Sequence, residues 1–89
     1  MADLTECKVL VVDDTESNID ILVDALGSDY EVSVAMDGES ALRDIAEEIP
    51  DLILLDIIMP GIDGYEVCQR LKSDKNTKLK TIPFGLDVK

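Results

Sequence analysis

Three carboxylates stand where an apolar run stops abruptly. Asp13 and Asp14 close Val9-Leu10-Val11-Val12, and Asp56 closes Leu52-Ile53-Leu54-Leu55. In an open parallel sheet the carboxyl ends of the strands share one rim, and ligands bind there. If the two runs are neighbouring strands, three acids converge, and such a group repels itself and favours protonation of one member unless a cation is present. Magnesium suits that cup better than calcium, because it asks for octahedral oxygens, keeps several waters and is held by one or two carboxylates plus a phosphate oxygen. A carboxylate beside such an ion is also a nucleophile toward a phosphoryl group, giving an aspartyl phosphate. Taken singly, an Asp at a strand end is a weak marker, since it also solvates and caps. The set gains force from Met59-Pro60-Gly61-Ile62-Asp63-Gly64, which follows Asp56 at once.

Composition narrows the chemistry further. The chain of 89 residues holds 20 acids against 8 Lys and Arg, with no His, for a formal charge of -12. A surface of that sign is repelled by phosphate backbones and anionic membranes. The expectation is therefore no direct nucleic-acid or membrane partner. Without His there is no imidazole base, no Ser/His/Asp or Cys/His triad and no mixed Cys and His zinc site. Cys7 and Cys68 lie far apart with no CxxC spacing, and read as ordinary thiols in a reducing compartment. Cys68, beside Val67 and Leu71, reads as packing. The N-terminus lacks a charged cluster followed by an apolar run, and no segment has the length of a membrane span. A cytoplasmic address is expected.

The elements that must position the acids follow from periodicity. Val9–Val12 reads as a strand buried on both faces. Ile19, Leu22, Val23 and Leu26 fall at helical spacing from Ser17, with Thr15 or Ser17 as N-cap and Gly27 as the stop. Glu31–Ala35 alternates, and a second helical pattern runs through Ala41, Leu42, Ile45, Ala46 and Ile49 to Pro50. Leu52–Leu55 is the most apolar strand, Tyr65–Leu71 a third helix, and Asp74–Lys80 a polar surface connection. Ile82-Pro83-Phe84 can open a fourth strand, with Pro83 confined to a strand start or an edge. Alternation of strand and helix implies right-handed crossovers and a doubly wound α/β fold with helices on both faces. Charge is uneven: residues 1–69 hold 18 acids and two bases, whereas residues 70–89 hold two acids and six bases. The tail is expected to fold against the acidic body, and Lys72, Lys75, Lys78 and Lys80 to form a solvated surface.

Val9-Leu10-Val11-Val12-Asp13-Asp14, Leu52-Ile53-Leu54-Leu55-Asp56, Met59-Pro60 and Asp63-Gly64 resemble, in order and spacing, the motifs of bacterial two-component response regulator receiver domains. The likeness covers residues 7 to about 83. It implies a flavodoxin-like parallel sheet and a phosphoacceptor role in a phosphorelay: Asp56 takes a phosphoryl group from a phosphohistidine on a sensor histidine kinase. It further implies Mg2+ held directly by Asp14 and Asp56, with Asp13 acting mainly through water and the backbone carbonyl of Ile58 completing the protein ligands. Asn18 stands where such domains often carry Asn. The chain would receive, and at most hydrolyse, its own phosphoryl group, and would not be a turnover enzyme.

The departures from the family are as specific as the match. Receivers have five strand and helix units; here three occupy residues 8–73, and residues 74–89 read as a connection and remnant tail. The expectation is one truncated domain over residues 1–89, with an incomplete sheet of three to four strands instead of five. The family's switch Ser or Thr and its Lys have no counterpart, since Thr81 precedes the fourth strand and Lys89 ends no strand. Phe84-Gly85-Leu86-Asp87-Val88 resembles a stretch that normally lies further on. The Leu52–Leu55 strand is then expected to lie at an edge, and Leu22 and Leu26 to be partly uncovered. A homo-oligomer through that edge or through an exchanged tail follows. Two rival readings remain: an interaction or dimerisation module that is never phosphorylated, and a metal-dependent phosphohydrolase. The last is disfavoured because Ile58 stands where those enzymes place a second Asp.

Overall fold

The computed structural model describes residues 7–57 and 64–84. The chain runs β1 (Lys8–Val12), α1 (Glu16–Leu26), β2 (Glu31–Ala35), α2 (Gly38–Glu47), β3 (Leu52–Asp56), α3 (Gly64–Ser73) and β4 (Thr81–Phe84). All four strands are parallel, in the order β2-β1-β3-β4. This is the expected doubly wound α/β sheet, with four parallel strands among the described residues.

Each strand of the centre is buried on both faces, which is why its sequence is a continuous apolar run instead of an alternation. On one face Leu10, Val12, Ile53 and Leu55 pack with Ala41 and Ile45 of α2 and Val67 and Leu71 of α3. Cys68 packs against the edge of that cluster, as a small hydrophobe would. On the other face Val9 and Val11 meet Ile19, with Leu22, Val23 and Leu26 of α1 partly buried around them. Leu52 and Leu54 share this second face and are only half-buried, and Ile82 in the next strand is 48% exposed.

Several local expectations are corrected. The largest concerns β3, which is not an edge: Ile53, Leu54, Leu55 and Asp56 pair with Thr81, Ile82, Pro83 and Phe84. Four residues suffice because they satisfy the outward ladder of β3, the Ile53 N–H donating to the Lys80 carbonyl at 2.8 Å and the Ile57 N–H to that of Phe84 at 3.0 Å. The edges among the described residues are therefore β2 and β4, and Pro83 sits on the second of them, where its missing donor is tolerated. Thr81 opens β4 and does not precede it. Its hydroxyl donates to the Thr77 carbonyl at 2.9 Å.

The helix ends also differ. α1 begins at Glu16, one residue earlier than the spacing suggests, and Thr15 is its N-cap by backbone conformation with no side-chain cap bond. α2 stops at Glu47, leaving Ile49 outside and 41% exposed. The cause is Pro50, which pushes the residue before it out of the helical region. Asp37 caps the start of α2 by accepting the Ser40 N–H at 2.7 Å. That bond holds its carboxyl below the ordinary carboxylate range. Of the cationic tail, Thr81–Phe84 lies against the acidic body as a strand paired with β3, and Arg70 meets Glu66 at 3.1 Å, whereas among the described residues no ion pair joins Lys72, Lys75, Lys78 or Lys80 to an acid.

Burial separates two leucines of this fold. Leu55 is fully buried and Leu79 is 92% exposed. Leu55→Ala is expected to lower unfolding stability in urea by about 2–5 kcal/mol, whereas Leu79→Ala stays within about 0.5 kcal/mol of the parent.

Candidate acidic site at the carboxyl rim

The pairing of β1 with β3, which sets Val12 beside Leu55, brings the strands' terminal acids to the same place. One carboxylate oxygen from each of Asp13, Asp14 and Asp56 lies within 4.8 Å of the others. Asp13 is fully buried and Asp56 nearly so, at 0% and 6% exposure, while Asp14 is exposed. Two unit charges at that distance repel by roughly 3 kcal/mol at an effective dielectric of about 20. The crowding needs compensation.

The backbone around the acids is held firmly. Asp13 donates its N–H to the Ala35 carbonyl at 3.1 Å, tying the end of β1 to β2. Its Oδ1 accepts the Thr15 N–H at 2.9 Å, so Asp-Asp-Thr forms a side-chain turn that leads straight into α1. The Thr15 hydroxyl donates to Asp14 Oδ1 at 3.4 Å, a long bond. Asp13 Oδ2 is buried with no hydrogen-bond partner. A buried, unpartnered carboxylate oxygen is costly, and here it belongs to a cluster of three acids. The residues present thus fit a hard divalent cation with oxygen ligands.

Asp56 is positioned from three directions: β1 on one side, the Phe84 carbonyl that accepts the Ile57 N–H on the other, and α3 above. Gly64 makes that last approach possible. A Cβ at Gly64 would overlap Ile57 Cα and come within 2.5 Å of the Asp56 carbonyl oxygen. The Asp63-Gly64 motif therefore marks a place where a helix start touches the backbone of the acid itself, beyond the turn that its composition suggests. Ile58, Met59 and Asp63 fall outside the described residues, so the expected carbonyl ligand lies there too. Asn18 donates its N–H to the Thr15 carbonyl at 3.1 Å, within the first turn of α1.

A sequence model for the response regulator receiver domain matches residues 9–84. The chain belongs to that family. It is 51% identical over 72 residues to Response regulator PleD of Caulobacter vibrioides, a match that covers 80% of this chain and 16% of that protein. The chain thus spans about a sixth of the length of that curated relative. Among solved structures, a putative response regulator from Chloroflexus aurantiacus superposes with a TM-score of 0.79 at 37% identity, over 86% of this chain and 65% of that one. The receiver domain of the sensor histidine kinase PA1611 from Pseudomonas aeruginosa, described with a magnesium ion coordinated in its active-site cleft, gives 0.78 at 28% identity over 86% and 65%. The four parallel strands among the described residues of this receiver match the flavodoxin-like sheet of the family, incomplete relative to its five. No helix among its described residues is long and apolar enough to cross a membrane.

Two outcomes follow from the geometry. A hundredfold excess of Mg2+ over its Kd is expected to stabilise the protein by about 2.7 kcal/mol, read as a raised Tm. In Asp14→Ala that increment disappears, while the metal-free form melts no lower because one repulsive charge has gone. Gly64→Ala is expected to weaken Mg2+ binding at least about tenfold, or about 1.4 kcal/mol, by calorimetric titration of the folded variant, since the displaced backbone is the one that carries Asp56.

Proposed function

We propose that this receiver domain is a phosphoacceptor whose acceptor is Asp56, served by a sensor histidine kinase and by Mg2+ held at Asp13, Asp14, Asp56 and the Ile58 carbonyl. The observation that carries the reading is the placement of Asp56 at the end of an interior strand, within 4.8 Å of two further acids. An Asp56 carboxylate oxygen attacks phosphorus, the bond from phosphorus to the donor's imidazole nitrogen breaks, and that nitrogen leaves with the electron pair. Asp13 and Asp14 shape the rim that the incoming phosphoryl group meets. The Thr15 N–H fixes Asp13, and Gly64 lets α3 brace the backbone of Asp56. When bound, Mg2+ supplies charge neutralisation between the acids and the phosphoryl oxygens. Without it, an anion approaches three like charges. Turnover of an external substrate is not part of the reading; the phosphoryl group is received and at most hydrolysed in place.

One sequence observation favours a second reading. β4 ends at Phe84 and Gly85 follows it, neither with a hydroxyl side chain to meet a phosphoryl group. A phosphoryl group lacking such a charge-assisted partner loses a hydrogen bond contributing on the order of 1.5–3 kcal/mol. On that reading the domain acts by contact alone, as an interaction or dimerisation module.

Incubation with acetyl phosphate and Mg2+, followed by intact mass spectrometry, separates the two. The expected result is a single added phosphoryl group in the parent and none in Asp56→Asn or without Mg2+. An unmodified parent that still binds Mg2+ supports the contact module instead.

A further inference from the structure

The end of the sheet opposite the acids carries two features that phosphoryl transfer does not use. The first is a cleft of about 290 Å³ lined by Val9, Leu10, Ser33 and Pro50, with Lys8 and, from the end of α2, Asp44, Glu47 and Glu48 around it. All three apolar residues are buried and all three acids are exposed. Lys8 Nζ pairs with Glu48 at 2.6 Å, but among the described residues no ion pair reaches Asp44 or Glu47. The cleft is small beside the roughly 300–1,000 Å³ of sites for drug-sized ligands. It suits one side chain.

The second feature is Leu79, 92% exposed in the turn between α3 and β4 and flanked by Lys78 and Lys80. The turn is held by its own hydrogen bonds. The Thr77 hydroxyl donates to the Leu71 carbonyl at 2.6 Å, and the Lys78 and Lys80 N–H groups donate to Asp74 and Thr77 carbonyls at 2.8 and 3.0 Å. The Lys80 carbonyl in turn accepts the Ile53 N–H at 2.8 Å. Leu79 is thus presented in a fixed place, and little ordering remains to oppose its docking. Residues 70–80 contain five cations, Arg70, Lys72, Lys75, Lys78 and Lys80, and one acid, Asp74, in a chain of net charge -12.

We propose that this rim is a self-association surface, in which Leu79 of one copy enters the Val9, Leu10 and Pro50 cleft of a second copy while Lys78 and Lys80 meet Asp44 and Glu47. Helices of this fold run back along the sheet, so the end of α2, the start of β1 and the turn before β4 share one end of the molecule. Each copy therefore carries both halves of the contact side by side, and a two-fold axis satisfies both at once. An apolar anchor in a pocket with charges at its margin is the arrangement that concentrates binding energy. Elsewhere two copies of net charge -12 repel, so opposite charge at this rim selects the orientation. The contact is neither a strand added to a sheet edge nor an exchange of chain segments, and the inference does not depend on phosphorylation.

Sedimentation velocity on the full chain from about 10 µM to 1 mM, the range of a small interface, tests it. The expected result is a concentration-dependent shift toward dimer. The Kd should rise at least about tenfold in Leu79→Ala, in Lys78→Glu with Lys80→Glu, and in Asp44→Lys with Glu47→Lys, each checked for unchanged circular dichroism. An equimolar mixture of the two charge-reversed proteins should dimerise again, because in the mixed pair each contact once more joins opposite signs. A monomer at every concentration overturns the proposal. So does dimerisation that ignores these substitutions, or charge-reversed proteins that fail to rescue one another. If either charge-reversed protein does not fold, Leu79→Ala, which touches no core residue, decides alone.

Discussion

The register between β1 and β3 is the constraint on which the site depends. Val9 to Val12 lie against Leu52 to Leu55 in a parallel pair, so the residues that follow each strand emerge at the same height on the same rim. Because both strands are buried on both faces, a one-residue slip changes which side chains meet α1 and which meet α2 and α3. The packing of Leu10, Val12, Ile53 and Leu55 therefore fixes the register, and the register fixes where the acids stand. An electrostatically unfavourable cluster is imposed by apolar contacts elsewhere.

That imposition explains the character of the rim. Asp13 and Asp56 are buried in one cluster, and among the described residues one oxygen of Asp13 has no hydrogen-bond partner while the other accepts the Thr15 N–H. A cluster that crowds charge in this way fits a cation with oxygen ligands. Gly64 tightens the arrangement by allowing α3 to rest on the backbone of Asp56 and Ile57. The opposite rim is built differently. There the charges are of both signs, with Lys8 paired to Glu48 at the end of α2 and Lys78 and Lys80 in the turn that follows α3.

β4 has an influence out of proportion to its four residues. By pairing with β3 it turns the most apolar strand of the chain into an interior one and leaves the edge to a segment containing Pro83. The outer edge thereby loses a donor, which makes it a poor template for unspecific strand addition. Coverage of the sheet is nevertheless uneven. α2 and α3 bury one face completely at Ile53 and Leu55, whereas α1 reaches Val9 and Val11 and leaves Leu54 half-buried and Ile82 exposed.

Much of this was legible in the residues. Apolar runs ending in Asp13-Asp14 and Asp56, helical spacing between them and the Asp63-Gly64 pair state the fold class and the acid site, because burial on both faces and helix amphipathicity are properties of local pattern. Other features depended on contacts between segments distant in the chain, which no local pattern encodes. Whether β3 lies at an edge rests on whether Thr81–Phe84 finds it, and a strand so short and interrupted by proline carries a weak local signal. The role of Gly64 was invisible for the same reason: a turn glycine and a glycine pressed against Asp56 look alike until the helix is docked. The exposure of Leu79 was settled only when Thr77 and Thr81 took the buried places on either side of it. Periodicity reports which face a residue prefers; only packing decides what that face meets.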